Sequence, residues 1–290
     1  MSNLIQYQGE LDVSTFTATG VSPLDGRTDF LSPLVLSAEL KPYPKMQVCS
    51  VAISDRIPNI YDARPYYDFN NTLLQVYTNN AGSLTTIQLE RGLYIQPSDI
   101  ADAINATING LIGGSWWTNP LDPGISIVAN PVIDRIVITL DSTKLKLPHT
   151  NVFLDLSKAS TGTDLATTLG FSQAISVIGA GLLPLNPIEV VASNQNVIME
   201  SQGTECVIQS SVMSSRRTNN TYARTLAIVP FAGKLTTSEN IWPSAGLVSP
   251  KVTYEGPRSI SSFDVQVRTS DGRPMLFMSG RIAIVIAFGY

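Results

Sequence analysis

Short apolar runs, cut by turn signals at intervals of roughly 8–14 residues, fill most of this 290-residue chain and constrain its fold more than any other feature. The second half is almost nothing else: IEVVAS, NVIMES, ECVIQSSVM, RTLAIVPF, LVSPKVTYEG and SFDVQVRTS all read as strands. The last stretch is the most explicit. Phe263, Val265 and Val267 alternate with Asp264, Gln266 and Arg268, Asp271-Gly272 marks a turn, and residues 282–288 return as a strand. That final strand is apolar on both faces, as a strand with neighbours on either side is. The spacing predicts a sandwich or jelly-roll-like domain over 176–290.

Residues 70–175 follow a different grammar. NNTLLQVYTN and SLTTIQLE predict a hairpin around Asn79-Asn80-Ala81-Gly82. Pro97 followed by Ser98-Asp99 is a helix start, with Ser98 or Asp99 near the N-cap. Ile100, Ala103, Ile104, Ile108 and Leu111 then recur at helical spacing, and Gly113-Gly114 is the expected stop. Two strands around Asn130-Pro131, a strand at NVFLDLS, and a short helix ended by Gly170, with Leu165, Leu169 and Phe171 packing down, complete an α+β module.

The fold class is therefore mainly β, an α+β module at 70–175 followed by a β-sandwich or jelly-roll-like domain at 176–290. Residues 1–69 read as an N-terminal arm with a leading strand in LSPLVLSAELKPYPK, and the arm is expected to drape over a neighbouring subunit.

Composition narrows the function. Aliphatic and aromatic residues make up 43% of the chain and charged residues only 14%, far below the usual quarter. A surface covered by Asn, Ser, Thr and Gln suits contact with other subunits, because charge is costly to bury at an interface. The net charge is −4, and the pair Arg216-Arg217 is the one place where cations adjoin. Direct nucleic-acid binding, which needs clustered cations, is not expected. No basic leader opens the chain, and no apolar stretch is long and unbroken enough for a membrane anchor. Cys49 and Cys206, the two cysteines, lack metal-ligand spacing and read as free thiols, with a single disulfide left open.

No motif for chemistry emerges, and neither a cofactor nor a metal is expected. His149, the single histidine, has no second histidine or nearby cysteine to complete a triad or zinc site, and reads as a loop residue. Asp99, Asp102, Asp122, Asp134, Asp141 and Asp155 crowd one region, where a hydrolase would need a facing pair. A helix start and strand-closing turns account for them more simply. Trp116 and Trp117 are the candidate contact residues for a glycan or partner, since exposed indoles stack on sugar rings; such a pair more often plugs a helix–strand junction.

The segment RGLYIQPSDIADAIN, with Gly92, Tyr94, Asp99, Ile100, Ile104 and Asn105, and its closure at Leu169-Gly170-Phe171, resembles a module of viral virion proteins. The ending, with Asp271-Gly272-Arg273-Pro274, Gly280 and the closing apolar strand, is similar to that of minor capsid, penton-like and spike or tail proteins of double-stranded DNA viruses. The resemblance spans residues 70–290 and implies a non-enzymatic virion structural protein, a minor capsid, vertex or tail/spike component. It implies a homo-oligomer assembled in the host cytoplasm or nucleus, with copies of itself and other virion proteins as partners. A receptor- or glycan-binding spike is the alternative, with a host receptor or glycan as partner.

Overall fold

The computed structural model describes residues 7–11, 29–33, 45–54, 57–64, 67–80, 83–172, 177–182, 184–200, 202–209, 216–218, 221–223, 225–230, 240–243, 248, 252–253, 262–276 and 281–289. The chain divides into two compact units, residues 1–57 with 202–290, and residues 58–201. The second unit is thus inserted into the first. Its limits fall at 57/58 and 201/202, where the sequence reading puts boundaries at 69/70 and 175/176.

Three strands precede the insertion: β1 (Tyr7–Leu11), β2 (Asp29–Pro33) and β3 (Lys45–Ser54). The insertion carries β4 (Leu73–Thr78), β5 (Thr85–Gln88), α1 (Pro97–Trp116), β6 (Ile125–Asn130), β7 (Arg135–Asp141), β8 (Val152–Asp155), α2 (Lys158–Thr161), α3 (Leu165–Thr168), β9 (Val177–Ala180) and β10 (Ile188–Ala192). After it come β11 (Glu205–Gln209), β12 (Arg216–Thr218), β13 (Thr221–Ala223), β14 (Thr225–Pro230), β15 (Asn240–Pro243), β16 (Val252–Thr253), β17 (Ser262–Thr269) and β18 (Arg281–Gly289). The protein is mainly β.

The first unit is a β-sandwich. One sheet has the order β1-β18-β3-β15, with β16 pairing further along the same edge of β3, and the other has the order β14-β11-β17-β2. All of these ladders are antiparallel. With β15 and β16 counted as one interrupted position, and the separate β12–β13 hairpin set aside, eight positions remain in chain order. Their arrangement is 1-8-3-6 in one sheet and 2-7-4-5 in the other, so successive strands alternate between sheets except the fourth and fifth, which pair within one sheet, and the last strand lies inside its sheet beside the first. This is the jelly-roll arrangement of two interlocked Greek keys. Val48, Val51, Cys206, Ile208, Leu226, Val229 and Val267 are buried in this unit. Cys206 is a free thiol, so no disulfide joins it to Cys49.

Two strands of the expected arm, β1 and β2, pair with β18 and β17 of the same chain, and the rest of residues 1–44 lies outside the described residues. β18 lies between β1 and β3, the central place its two-sided apolar sequence predicts. One expectation needs correcting. The Asp271-Gly272 turn does not form a hairpin between β17 and β18: it brings the chain back only as far as Pro274 and Met275 beside β17, and β18 belongs to the other sheet.

The second unit has a four-stranded sheet, β5-β4-β8-β9, and a three-stranded sheet, β10-β7-β6, around one core that includes α1. Leu74 and Val76 of β4 point inward, as do Ile136, Ile138 and Leu140 of β7. The strands expected to pair across Asn79-Asn80-Ala81-Gly82 and Asn130-Pro131 do so, β4 with β5 and β6 with β7. NVIMES, expected as a strand, is irregular over residues 196–200; Val197 and Met199 still pack on the core, but Ile198 N donates to Thr168 O of α3.

Candidate functional site

Helix α1 organises the inserted unit. Gln96 is its N-cap and Pro97 its first residue, where a missing N–H costs nothing. Asp99 acts three positions into the helix, its Oδ2 accepting from Ile95 N at 3.0 Å and Gln96 N at 2.9 Å, so neither Ser98 nor Asp99 is the cap itself. The helix does not stop at Gly113-Gly114. Ile100, Ile104, Ile108, Ile112 and Trp116 form a buried stripe at four-residue spacing, and packing along it carries the helix through the glycines to Trp116. Leu111 falls off that stripe and is exposed.

The two tryptophans end the stripe. Trp116 is 5% exposed and Trp117 1%, with ring centroids 6.4 Å apart in an edge-to-face arrangement. Both belong to the core cluster and offer solvent almost no ring face on which a sugar could stack. Trp116 also lies 5.8 Å from the ring of His149. His149 is half-buried, its Nδ1 2.8 Å from Thr78 Oγ1, and Thr78 Oγ1 in turn lies 2.6 Å from Ser83 Oγ. The imidazole thus ties the β7–β8 loop to the β4–β5 hairpin.

Four of the six carboxylates that crowd the sequence, Asp99, Asp122, Asp141 and Asp155, are engaged with separate partners. Asp141 Oδ1 accepts from Thr143 N and Thr143 Oγ1, Asp155 accepts from Ser157 N and Ser160 Oγ, and Asp122 pairs with Lys144 Nζ at 2.6 Å. Asp134 occupies the tight β6–β7 turn with φ of 50°. Among the described residues no three metal-binding side chains cluster. No described helix is long and apolar enough to cross a membrane, which leaves membrane β-barrels untouched. Arg216 and Arg217 lie on the backbone of β12, opposite β13.

The notable surfaces are apolar. On the four-stranded sheet, Tyr77 of β4 and Phe153 of β8 face outward as a stacked pair, centroids 4.9 Å apart. Beside Tyr77, a shallow depression of about 270 Å³ is lined by Thr78, Asn80, Ser83 and Leu84. Burial raises the Tyr77 hydroxyl above its ordinary pKa, with the Asp155 charge adding to the effect. On the three-stranded sheet the outer face carries Val128, Val137, Val190 and Ile188. Sequence reasoning missed both faces. The Tyr77–Phe153 pair needs the β4–β8 register, and Val190 was counted simply as part of an apolar run.

No family model matches this chain, and no curated protein matches it. Among solved structures, the selenomethionine-labelled mavirus penton protein is similar across 99% of this chain and 99% of its own, with 12% sequence identity and a TM-score of 0.47.

Proposed function

We propose that this chain is a structural subunit of a virus particle, a minor capsid, vertex or tail/spike component that works by assembling with copies of itself and with other virion proteins. The observation that carries the reading is the 1-8-3-6 and 2-7-4-5 strand order of the first unit, a jelly roll. Jelly rolls also serve lectins and metal-binding cupins, so the fold alone does not choose among functions. Two features of the sequence favour the capsid. A chain with one histidine and two cysteines, one of them buried and free, is poor in metal donors. A charge content of 14% and outward-facing valines suit a surface that other protein covers.

The glycan-binding alternative gains nothing from Trp116 and Trp117, whose rings are buried. The assembly role needs no catalytic centre, no cofactor and no nucleic-acid contact. The test is to fractionate purified particles from infected cells on a density gradient and quantify this chain by peptide mass spectrometry. A fixed stoichiometry to the major shell protein across the particle peak supports the role. A chain that stays at the top of the gradient overturns it.

A further inference from the structure

We infer that the outer face of the β6–β7–β10 sheet is a contact with a second copy of this chain, related by a two-fold axis. The inference concerns the isolated protein and does not rest on the virion reading.

The first observation is an inverted strand. A sheet with one face on a core ordinarily turns polar residues to solvent. In β10 the order is reversed: Glu189 is half-buried, on the side where Val191 packs on the core, while Ile188, Val190 and Ala192 point outward. Register sets Val190 beside Thr139 of β7, and sets Val128 of β6 beside Val137 of β7. Val128, Val190 and Ile188 are 53%, 59% and 51% exposed, so apolar side chains stand outward on β6 and β10, among the polar Ser126, Asn130 and Thr139 of the same face. Exposed valine and isoleucine side chains grouped on one face suit contact with another protein surface.

The second observation identifies the occupant. The outward residues of β7 are Arg135, Val137, Thr139 and Asp141, a cation at one end and an anion at the other. The Arg135 side chain has no hydrogen bond or ion pair among the described residues. Asp141 Oδ1 accepts from Thr143, and Oδ2 has no partner among the described residues. A two-fold axis lying between the faces and perpendicular to the strands runs β7 antiparallel over its counterpart. It sets Arg135 over Asp141 of the second copy, twice, and Val137 over Thr139. An axis parallel to the strands would instead stack Arg135 on Arg135, which like-charge repulsion disfavours. The face is therefore self-complementary in one orientation, as an isologous contact requires.

Size sets the strength. Three strands about 4.8 Å apart, with four outward residues on β7 and three each on β6 and β10, present roughly 300 Å², against about 800 Å² per partner for a stable interface. The contact is accordingly weak and concentration-dependent, and gains weight where many copies are held together.

Sedimentation equilibrium of the full chain over a wide concentration range tests this. The wild type should show reversible monomer–dimer behaviour that weakens with added salt. Arg135→Glu and Val190→Asp should each raise the dissociation constant at least tenfold, with unchanged thermal melting. Combining Arg135→Glu with Asp141→Lys should restore dimerisation. Should Asp141→Lys disturb the Thr143 turn, Val190→Asp still decides the matter. A wild type that stays monomeric throughout, or association that Val190→Asp leaves unchanged, overturns the inference. Either result leaves the gradient experiment on particles free to succeed or fail by itself.

Discussion

Asn71 Nδ2 donates to Thr168 Oγ1 at 3.0 Å, joining residues 97 positions apart inside the inserted unit. The same amide donates to Asn59 O at 2.7 Å, and its Oδ1 accepts from Tyr61 N at 2.7 Å. Asn71 is fully buried, so three partners depend on one side chain that water does not reach.

Asn71→Ala leaves the Tyr61 amide and the Asn59 carbonyl without this partner in a buried place. Each such group costs about 1–3 kcal/mol, so the substitution should destabilise by roughly 3 kcal/mol or more. Thr168→Val removes one hydroxyl, which also donates to Asp164 O at 3.3 Å, and should cost only about 1 kcal/mol. Urea unfolding of both variants checks the ratio.

The Trp pair divides into truncation and replacement. Trp117→Ala empties a fully buried site and should cost about 3–5 kcal/mol. Trp117→Phe should cost markedly less, because Nε1 has no hydrogen-bond partner among the described residues and no bond is lost with it. Chemical denaturation gives both values. A glycan-contact role would instead leave stability untouched in both variants.

Periodicity made the local elements of this fold legible in the sequence and left their assembly hidden. The alternation of Leu74, Val76 and Ile87 gave the β4–β5 hairpin, because one buried face imposes period 2. The two-sided apolar character of residues 282–288 gave β18 its central place. Strand order was not legible, since the pairing of β18 with β3 spans more than 200 residues and leaves no local mark. The inserted unit escaped for the same reason. β9 and β10 look like the start of the following strands, yet they pair with β8 and β7. The helix end was misread because a glycine pair weakens a helix only when packing does not hold it, and Ile112 and Trp116 hold this one.

Gly170 and Gly162 both have left-handed backbones, φ of 83° and 69°, but differ in their surroundings. A Cβ on Gly170 would fall within van der Waals distance of the Gln195 carbonyl, whereas one on Gly162 meets nothing within 4 Å. Gly162→Ala should therefore cost only the left-handed penalty of about 1–2 kcal/mol. Gly170→Ala adds a clash with backbone that cannot swing aside, and should cost at least about 3 kcal/mol. Comparing the two melting curves separates strain from crowding.

Cys206 provides the pH prediction. Burial pushes its thiol up to about 12, the neighbouring Glu205 charge adding to the effect. In the unfolded chain the thiol ionises near 8.5, so between about pH 8.5 and 12 the native state holds a proton that the unfolded state has released. Stability from this group is complete below about pH 8.5 and falls as pH rises through that window. Lysines and tyrosines titrate in the same range, so the informative quantity is the difference between wild type and Cys206→Ala. The wild type should lose more stability from pH 8 to 10 than the variant does, by up to about 1.4 kcal/mol per pH unit. Alkylation at pH 8 followed by peptide mapping should find Cys206 unmodified in the folded chain and modified once urea unfolds it. Native labelling of Cys206 at pH 8 would contradict its burial between β14 and β17.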